Sequence, residues 1–121
     1  MNIQKAHDFC ASLPAATRDI KWGCDAVFSV GGRMFAVFTL DGDKLTDKVS
    51  FKVDDPRFLE LTDRDGFIPA PYLARAKWVK LEGIRRLSDA EAKALLMDAH
   101  RLIAMKMPKK QQRELFGEVL G

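Results

Sequence analysis

The sequence predicts a two-layer α+β fold in which helices pack on one face of an antiparallel sheet. Three observations indicate this class: apolar residues alternate along consecutive segments, a glycine pair separates two of these segments, and apolar residues recur at helical spacing near both ends of the chain. The predicted order of elements is α-β-β-β-α-β(β)-α. A length of 121 residues suits one domain, so we expect a single domain over residues 1–121.

The first part of the chain predicts one helix and a hairpin. Asn2 is a suitable N-cap for a helix that ends before Pro14. Residues 26–30 and 33–40 are rich in β-forming side chains, and the two glycines between them tolerate the positive φ angles of a two-residue turn. Strict alternation divides the second strand into two faces, with Met34, Ala36, Phe38 and Leu40 on one and Arg33, Phe35, Val37 and Thr39 on the other. Because both faces carry apolar side chains, we expect this strand to be central.

The middle of the chain predicts two more strands and a helix between them. A polar connection over residues 40–47 leads into a third strand over residues 48–53. Asp54 and Pro56 suit the N-cap and the first turn of a second helix, which runs to about residue 64. The next strand is predicted at residues 78–81.

The end of the chain predicts two helices. Ser88 and Glu91 have the spacing of a capping box, in which each side chain satisfies a free backbone N–H. An apolar stripe at helical spacing then continues until Pro108, which ends the long helix. A short basic helix is predicted over residues 109–116.

Composition and charge limit the functional classes. No apolar run reaches the roughly 20 residues that a bilayer span needs, so we expect a cytoplasmic protein without a membrane partner. Cys10 and Cys24 are too far apart for a Cys-x-x-Cys pair, and we expect both to be reduced and buried. The net charge of +3 is unevenly placed, since residues 1–65 carry 9 basic and 11 acidic side chains whereas residues 66–121 carry 11 and 6.

No motif in the sequence indicates catalysis. His7 and His100 lie on separate predicted helices, where we expect surface positions, and no nucleophile motif accompanies them. The acidic run over residues 41–47 lacks the ligand spacing of a calcium loop, and the glycine pair lacks the lysine of a phosphate loop. We therefore predict no catalytic residue, no metal, no cofactor and no enzymatic activity.

Several short motifs occur along the chain in a characteristic order. They are Ser12-Leu13-Pro14, the Val-Gly-Gly-Arg-Met-Phe-Ala run of residues 30–36, Ser50-Phe51-Lys52, Ile68-Pro69 with Tyr72-Leu73, Lys77-Trp78-Val79, and Met107-Pro108 after the long helix. Over nearly the whole chain this pattern resembles the MmcQ/YjbR family of small bacterial proteins. The resemblance implies a two-layer antiparallel α+β fold and a predicted DNA-binding role through a double-wing motif. This chain has Ala74 and Lys77 where members often have Asn and His, which favours phosphate contact over specific polar recognition.

Two basic segments with few acidic residues suit a polyanionic partner. Residues 66–86 carry five cations and one acid, and residues 101–113 carry five cations and none. The candidate nucleic-acid contacts are Arg33, Lys52, Arg75, Lys77, Lys109 and Lys110, with Trp78, or else Trp22, as a stacking platform. Arg75 and Lys77 would project together from an extended chain. The alternatives are solvated cations balanced by the acidic stretch 41–65, and tryptophans that belong to the core.

Three functions remain open at this point. The first is weak, mainly non-specific DNA binding through phosphate contacts. The second is a protein-interaction or homodimerising domain, for which Met97, Met105 and Met107 would supply adaptable apolar contacts. The third is a small-ligand binder whose site is not visible in the sequence.

Overall fold

Six strands form one antiparallel sheet in the computed structural model, which describes residues 1–120. The strands are β1 (Ala16–Lys21), β2 (Asp25–Val30), β3 (Arg33–Asp41), β4 (Lys44–Lys52), β5 (Phe67–Pro69) and β6 (Trp78–Leu81), and the helices are α1 (Ile3–Ser12), α2 (Asp55–Thr62), α3 (Asp89–Met105) and α4 (Lys109–Phe116). The strands lie side by side in the order β1-β2-β3-β4-β6-β5. The predicted α+β class and the central position of β3 are confirmed.

β1 was not predicted from the sequence. It pairs with β2 along its whole length, from Ala16 opposite Val30 to Lys21 opposite Asp25, and it forms one edge of the sheet. None of its six residues is buried. An edge strand of this kind carries polar side chains on both faces, so the alternation that marks a half-buried strand is missing.

The two hairpins that contain β3 differ in how well the sequence predicted them. The turn between β2 and β3 is formed by Gly31 and Gly32, which both have positive φ angles as expected. The predicted polar connection over residues 40–47 is wrong, because Asp41 already pairs with Lys44 across a two-residue turn. Residues 44–47 belong to β4. This outer part of the hairpin is at most half-buried, so polar side chains are tolerated there and the sequence has the composition of a loop.

A β-bulge corrects the predicted faces of β3. Phe28 pairs with Ala36 while Ser29 pairs with Met34, so Phe35 is an extra residue in the ladder. Phe35 consequently joins Ala36 in the main core, whereas Met34 packs with the cluster on the opposite face. Strict alternation assigned both residues to the wrong face.

The main core lies between the helices and one face of the sheet. Phe28, Phe35, Phe38 and Phe51 are its largest aromatic side chains and are fully buried. Phe28 and Phe38 meet edge to face, with ring centroids 5.7 Å apart. The other face carries a much smaller cluster, formed by Val27, Val37, Ala70 and Trp78. The chain around Ala70 therefore folds back over this second face, which we call the open face.

Side-chain caps begin the helices largely as predicted. Asp54 accepts a hydrogen bond of 2.8 Å from the backbone N–H of Arg57, and Ser88 accepts one of 3.1 Å from that of Glu91. The second half of the predicted capping box does not form. The Glu91 carboxylate instead receives two hydrogen bonds, of 2.9 and 3.2 Å, from the guanidinium of Arg64. This pair joins the end of α2 to the start of α3, and it lowers the pKa of Glu91.

Neither histidine is the surface residue that was expected. His7 is largely covered and meets the Phe28 ring edge to face at 5.1 Å. His100 is buried, and its Nε2 lies 2.7 Å from the carbonyl oxygen of Pro14. Of the two cysteines, Cys10 is buried as predicted and burial raises its pKa, but Cys24 is exposed.

His100 should make the protein less stable as the pH falls below about 6.5. Burial beside Phe35 and Phe116 lowers its pKa from the ordinary value of 6.5. The unfolded chain therefore takes up the proton first, so stability is unaffected above pH 6.5 and declines as the pH falls towards the folded-state pKa. Urea denaturation across this range should show the decline, and His100→Phe should flatten it. The same pH dependence in both proteins would contradict this role of His100.

Candidate nucleic-acid interface and an adjoining groove

The predicted basic residues gather at one end of the sheet. The β2–β3 turn lies at this end. Ala36, near the start of β3, pairs with Phe51, near the end of β4, so the end of β4 lies at the same end of the sheet. The start of β6 lies there too, since Lys52 pairs with Trp78. Lys77 precedes β6, and its carbonyl accepts a hydrogen bond of 2.9 Å from the N–H of Val53. The first basic segment is thereby fixed at this end.

The start of α4 reaches the same end. Met107 is buried against the glycine turn, and a Cβ atom on Gly31 would overlap its sulfur. The same Cβ would lie 3.2 Å from the side-chain nitrogen of Gln111. Lys109 and Lys110, which stand between these two contacts in the chain, are exposed. The second basic segment therefore lies beside the turn that leads to Arg33.

Lys52 marks the point where the two segments meet. Its pKa is lowered first by burial and then by the charges of Lys106 and Lys77, which belong to different segments, while Asp55 opposes the shift. Lys52 is only 8% exposed, and its ammonium group donates to the carbonyl of Ala76. Its predicted role as a surface phosphate contact is therefore corrected. It holds the short 3-10 turn of residues 74–76 against the sheet.

The remaining candidates differ in exposure. Arg33, Arg75, Lys109 and Lys110 are exposed, whereas Lys77 is half-buried with its Nζ 5.1 Å from the centre of the Phe58 ring. Arg75 lies in the 3-10 turn and Lys77 is left-handed with φ 60°, so the predicted extended arrangement of this pair is wrong. Among residues 1–120, none of these cations forms an ion pair with a carboxylate.

Trp78 is not available for stacking. It is 4% exposed and packs with Val27, Val37 and Ala70, which is the core position that was weighed as the alternative. Trp22, in contrast, is 67% exposed, and Tyr72 is fully exposed. Both exposed aromatic residues have left-handed backbone, with φ angles of 55° and 66°.

A groove of about 490 Å³ runs across the open face of the sheet. It is lined by Trp22, Asp25, Met34, Val37, Thr39, Ser50, Ala70, Pro71, Tyr72, Leu73 and Lys80. Its floor is formed by β2, β3, β4 and β6, and residues 70–73 form one wall. A lining of apolar and aromatic side chains with a few polar groups is typical of ligand sites.

The sequence did not predict the groove. Its wall exists only because residues 70–73 fold over the sheet, where Ala70 donates a hydrogen bond of 3.0 Å to the carbonyl of Trp78. The available signals were Tyr72 after two prolines and Trp22 directly before a glycine. In residues 1–120, no three histidine, cysteine, aspartate or glutamate side chains lie close enough to hold a metal ion. No helix there is long and apolar enough to cross a bilayer.

Comparison with solved structures supports this fold. A Deinococcus radiodurans protein, DR2400, with a domain of the DUF419 family, is 24% identical and superposes with a TM-score of 0.81, covering 94% of this chain and 87% of its own. A protein from Pseudomonas syringae is 23% identical with a TM-score of 0.67, covering 85% of this chain and 99% of its own. At these identities the likeness concerns the fold alone.

The family is shown by sequence. No curated protein matches the chain. The family model described as YjbR matches residues 11–102, which include all six strands and nearly all of α3. This match confirms the resemblance found in the short motifs: the chain belongs to the YjbR family.

Proposed function

We propose that the protein is a non-enzymatic DNA-binding protein that contacts backbone phosphates through one basic surface. This surface, the basic end, consists of Arg33, Arg75, Lys77, Lys106, Lys109 and Lys110. The observation that carries the proposal is the convergence of two basic segments, about 30 residues apart in the chain, around Lys52. Convergence matters because phosphate binding depends on several cations that act on one stretch of backbone.

The charges of the basic end are free to act on a partner. No carboxylate of residues 1–120 forms an ion pair with them, so binding a phosphate would not require breaking one. The first turn of α4 carries Lys109 and Lys110 and no acid, and Pro108 supplies no side-chain cap. Cations at the positive end of a helix repel the helix dipole, and a bound phosphate would relieve this repulsion.

Binding to duplex DNA should depend steeply on salt. If about four phosphates are neutralised, log K should fall against log salt with a slope near −3.6, and the affinity at physiological salt should be no better than about micromolar. Lys109→Gln with Lys110→Gln should reduce the slope by about two. A labelled duplex titrated at several salt concentrations measures both values.

The matched control is Lys44→Gln with Lys93→Gln, which removes the same charge from exposed sites outside the basic end. An equal loss in both double variants would show that net charge alone attracts DNA. No binding at the lowest salt would reject the proposal. A homodimerising role would then come first, because Met97 and Met105 are exposed on α3, although Met107 belongs to the core.

A further inference from the structure

The groove on the open face combines features that suit unpaired nucleobases. We infer that it binds the bases of a single-stranded nucleic acid while the basic end holds the neighbouring phosphates. This inference rests on the proposed function and makes it more specific, because a base can enter the groove only when it is not stacked inside a duplex.

The exposed aromatic rings are the first argument. Trp22 and Tyr72 are among the most exposed large apolar side chains of the protein, and both lie at this groove. Trp22 and Gly23 are also the central residues of a β-turn closed by a hydrogen bond from the N–H of Cys24 to the carbonyl of Lys21, and both have positive φ angles, for which asparagine or glycine is favoured. Strained backbone under an exposed ring is a pattern found at binding sites. Nucleobases stack on such rings whatever their sequence.

The polar groups of the groove are the second argument. Asp25 can accept hydrogen bonds from the N–H groups at the edges of bases, including the ring N3–H of thymine, and the hydroxyls of Thr39 and Ser50 can donate or accept. These three residues lie on adjacent strands β2, β3 and β4, with Val37 beside them on the floor. Apolar side chains suit the flat face of a base, and the hydroxyl and carboxylate groups between them suit its polar edge.

Charge complementarity is the third argument. Lys80 lines the groove, and the exposed Arg75 lies two residues beyond the lining residue Leu73. The part of the groove at Met34 lies close to the basic end, because Met34 directly follows the β2–β3 turn and Arg33. Single-strand-binding proteins combine aromatic rings that stack on the bases with cations that contact the neighbouring phosphates.

The test compares three labelled oligonucleotides of the same length, about ten nucleotides. They are an oligothymidylate, an abasic strand with the same phosphates, and a duplex. The oligothymidylate should bind most tightly, by about 10-fold over the abasic strand. It should also quench the fluorescence of Trp22, which is the exposed one of the two tryptophans.

Trp22→Asn and Tyr72→Asn should each weaken oligothymidylate binding by about 10-fold and leave duplex binding unchanged. Asparagine tolerates the left-handed backbone at both positions, so the denaturation midpoint should be unchanged or higher. Leu59→Ala is the matched control, since it removes an exposed apolar side chain from α2, outside the groove.

The outcomes separate this inference from the proposed function. If the abasic strand binds as tightly as the oligothymidylate, and neither asparagine variant changes binding, the groove does not hold bases while phosphate binding stands. If none of the three oligonucleotides binds at low salt, both fail. If thymidine monophosphate quenches Trp22 but no strand binds, the groove is a small-ligand site and the inference is again overturned.

Discussion

Phe38→Ala should lower the free energy of unfolding by about 3 to 5 kcal/mol. Phe38 is fully buried on the central strand β3, and its ring contacts both Phe28 and His7 edge to face. Truncation would remove its apolar surface from the core and leave a cavity that the surrounding rings cannot fill without moving.

Urea denaturation measures this loss as a shift of the midpoint. Phe38→Leu, which keeps most of the volume, should cost much less. Leu59→Ala removes an exposed side chain and should change stability by no more than about 0.5 kcal/mol. A midpoint for Phe38→Ala equal to that of the parent protein would show that this position is not part of the core.

Gly31→Ala should cost about 2 to 4 kcal/mol, far more than Gly32→Ala. Both glycines have positive φ angles, so both substitutions carry backbone strain. Only at Gly31 does the new methyl group also overlap the buried side chain of Met107, whereas at Gly32 it meets nothing within 4 Å. Gly32→Ala therefore measures the strain alone, and the difference between the two measures the contact with Met107.

A double-mutant cycle checks this assignment. In a Met107→Ala background, Gly31→Ala should cost about as much as Gly32→Ala does in the parent protein, because the overlap is gone. Gly31→Ala should also weaken DNA binding, since Met107 leads directly into the first turn of α4 with Lys109 and Lys110. An equal cost in both backgrounds would mean that the contact with Met107 has no effect on stability.

The parts of the fold that helix caps, turn glycines and short-range patterns determine could be predicted from the sequence. Asp54 and Ser88 cap helices where expected, the glycine pair forms its hairpin turn, and β6 covers the predicted residues 78–81. In each case, interactions within a few residues decide the structure. The YjbR family was also recognisable, because several such motifs occur in a fixed order.

The parts that could not be predicted depend on distant contacts. β1 is held by pairing with β2 and has no apolar face of its own. The bulge at Phe35 changes the facing of β3 without any glycine or proline in the strand to mark it. For the candidate site, the sequence showed which segments were basic but not that Lys52 and Trp78 are buried. Their burial follows from the folding of residues 70–76 over the sheet.

The wall of the groove has little apolar burial beneath it. Ala70 and Trp78 share a cluster of only four buried residues, whereas the helices lie over the large aromatic core on the opposite face. Local opening requires the least free energy where few apolar contacts must be broken. We therefore expect residues 70–73 to open locally before the main core does, whereas Lys52 holds residues 74–76 through the carbonyl of Ala76, so that the width of the groove can vary at one wall only.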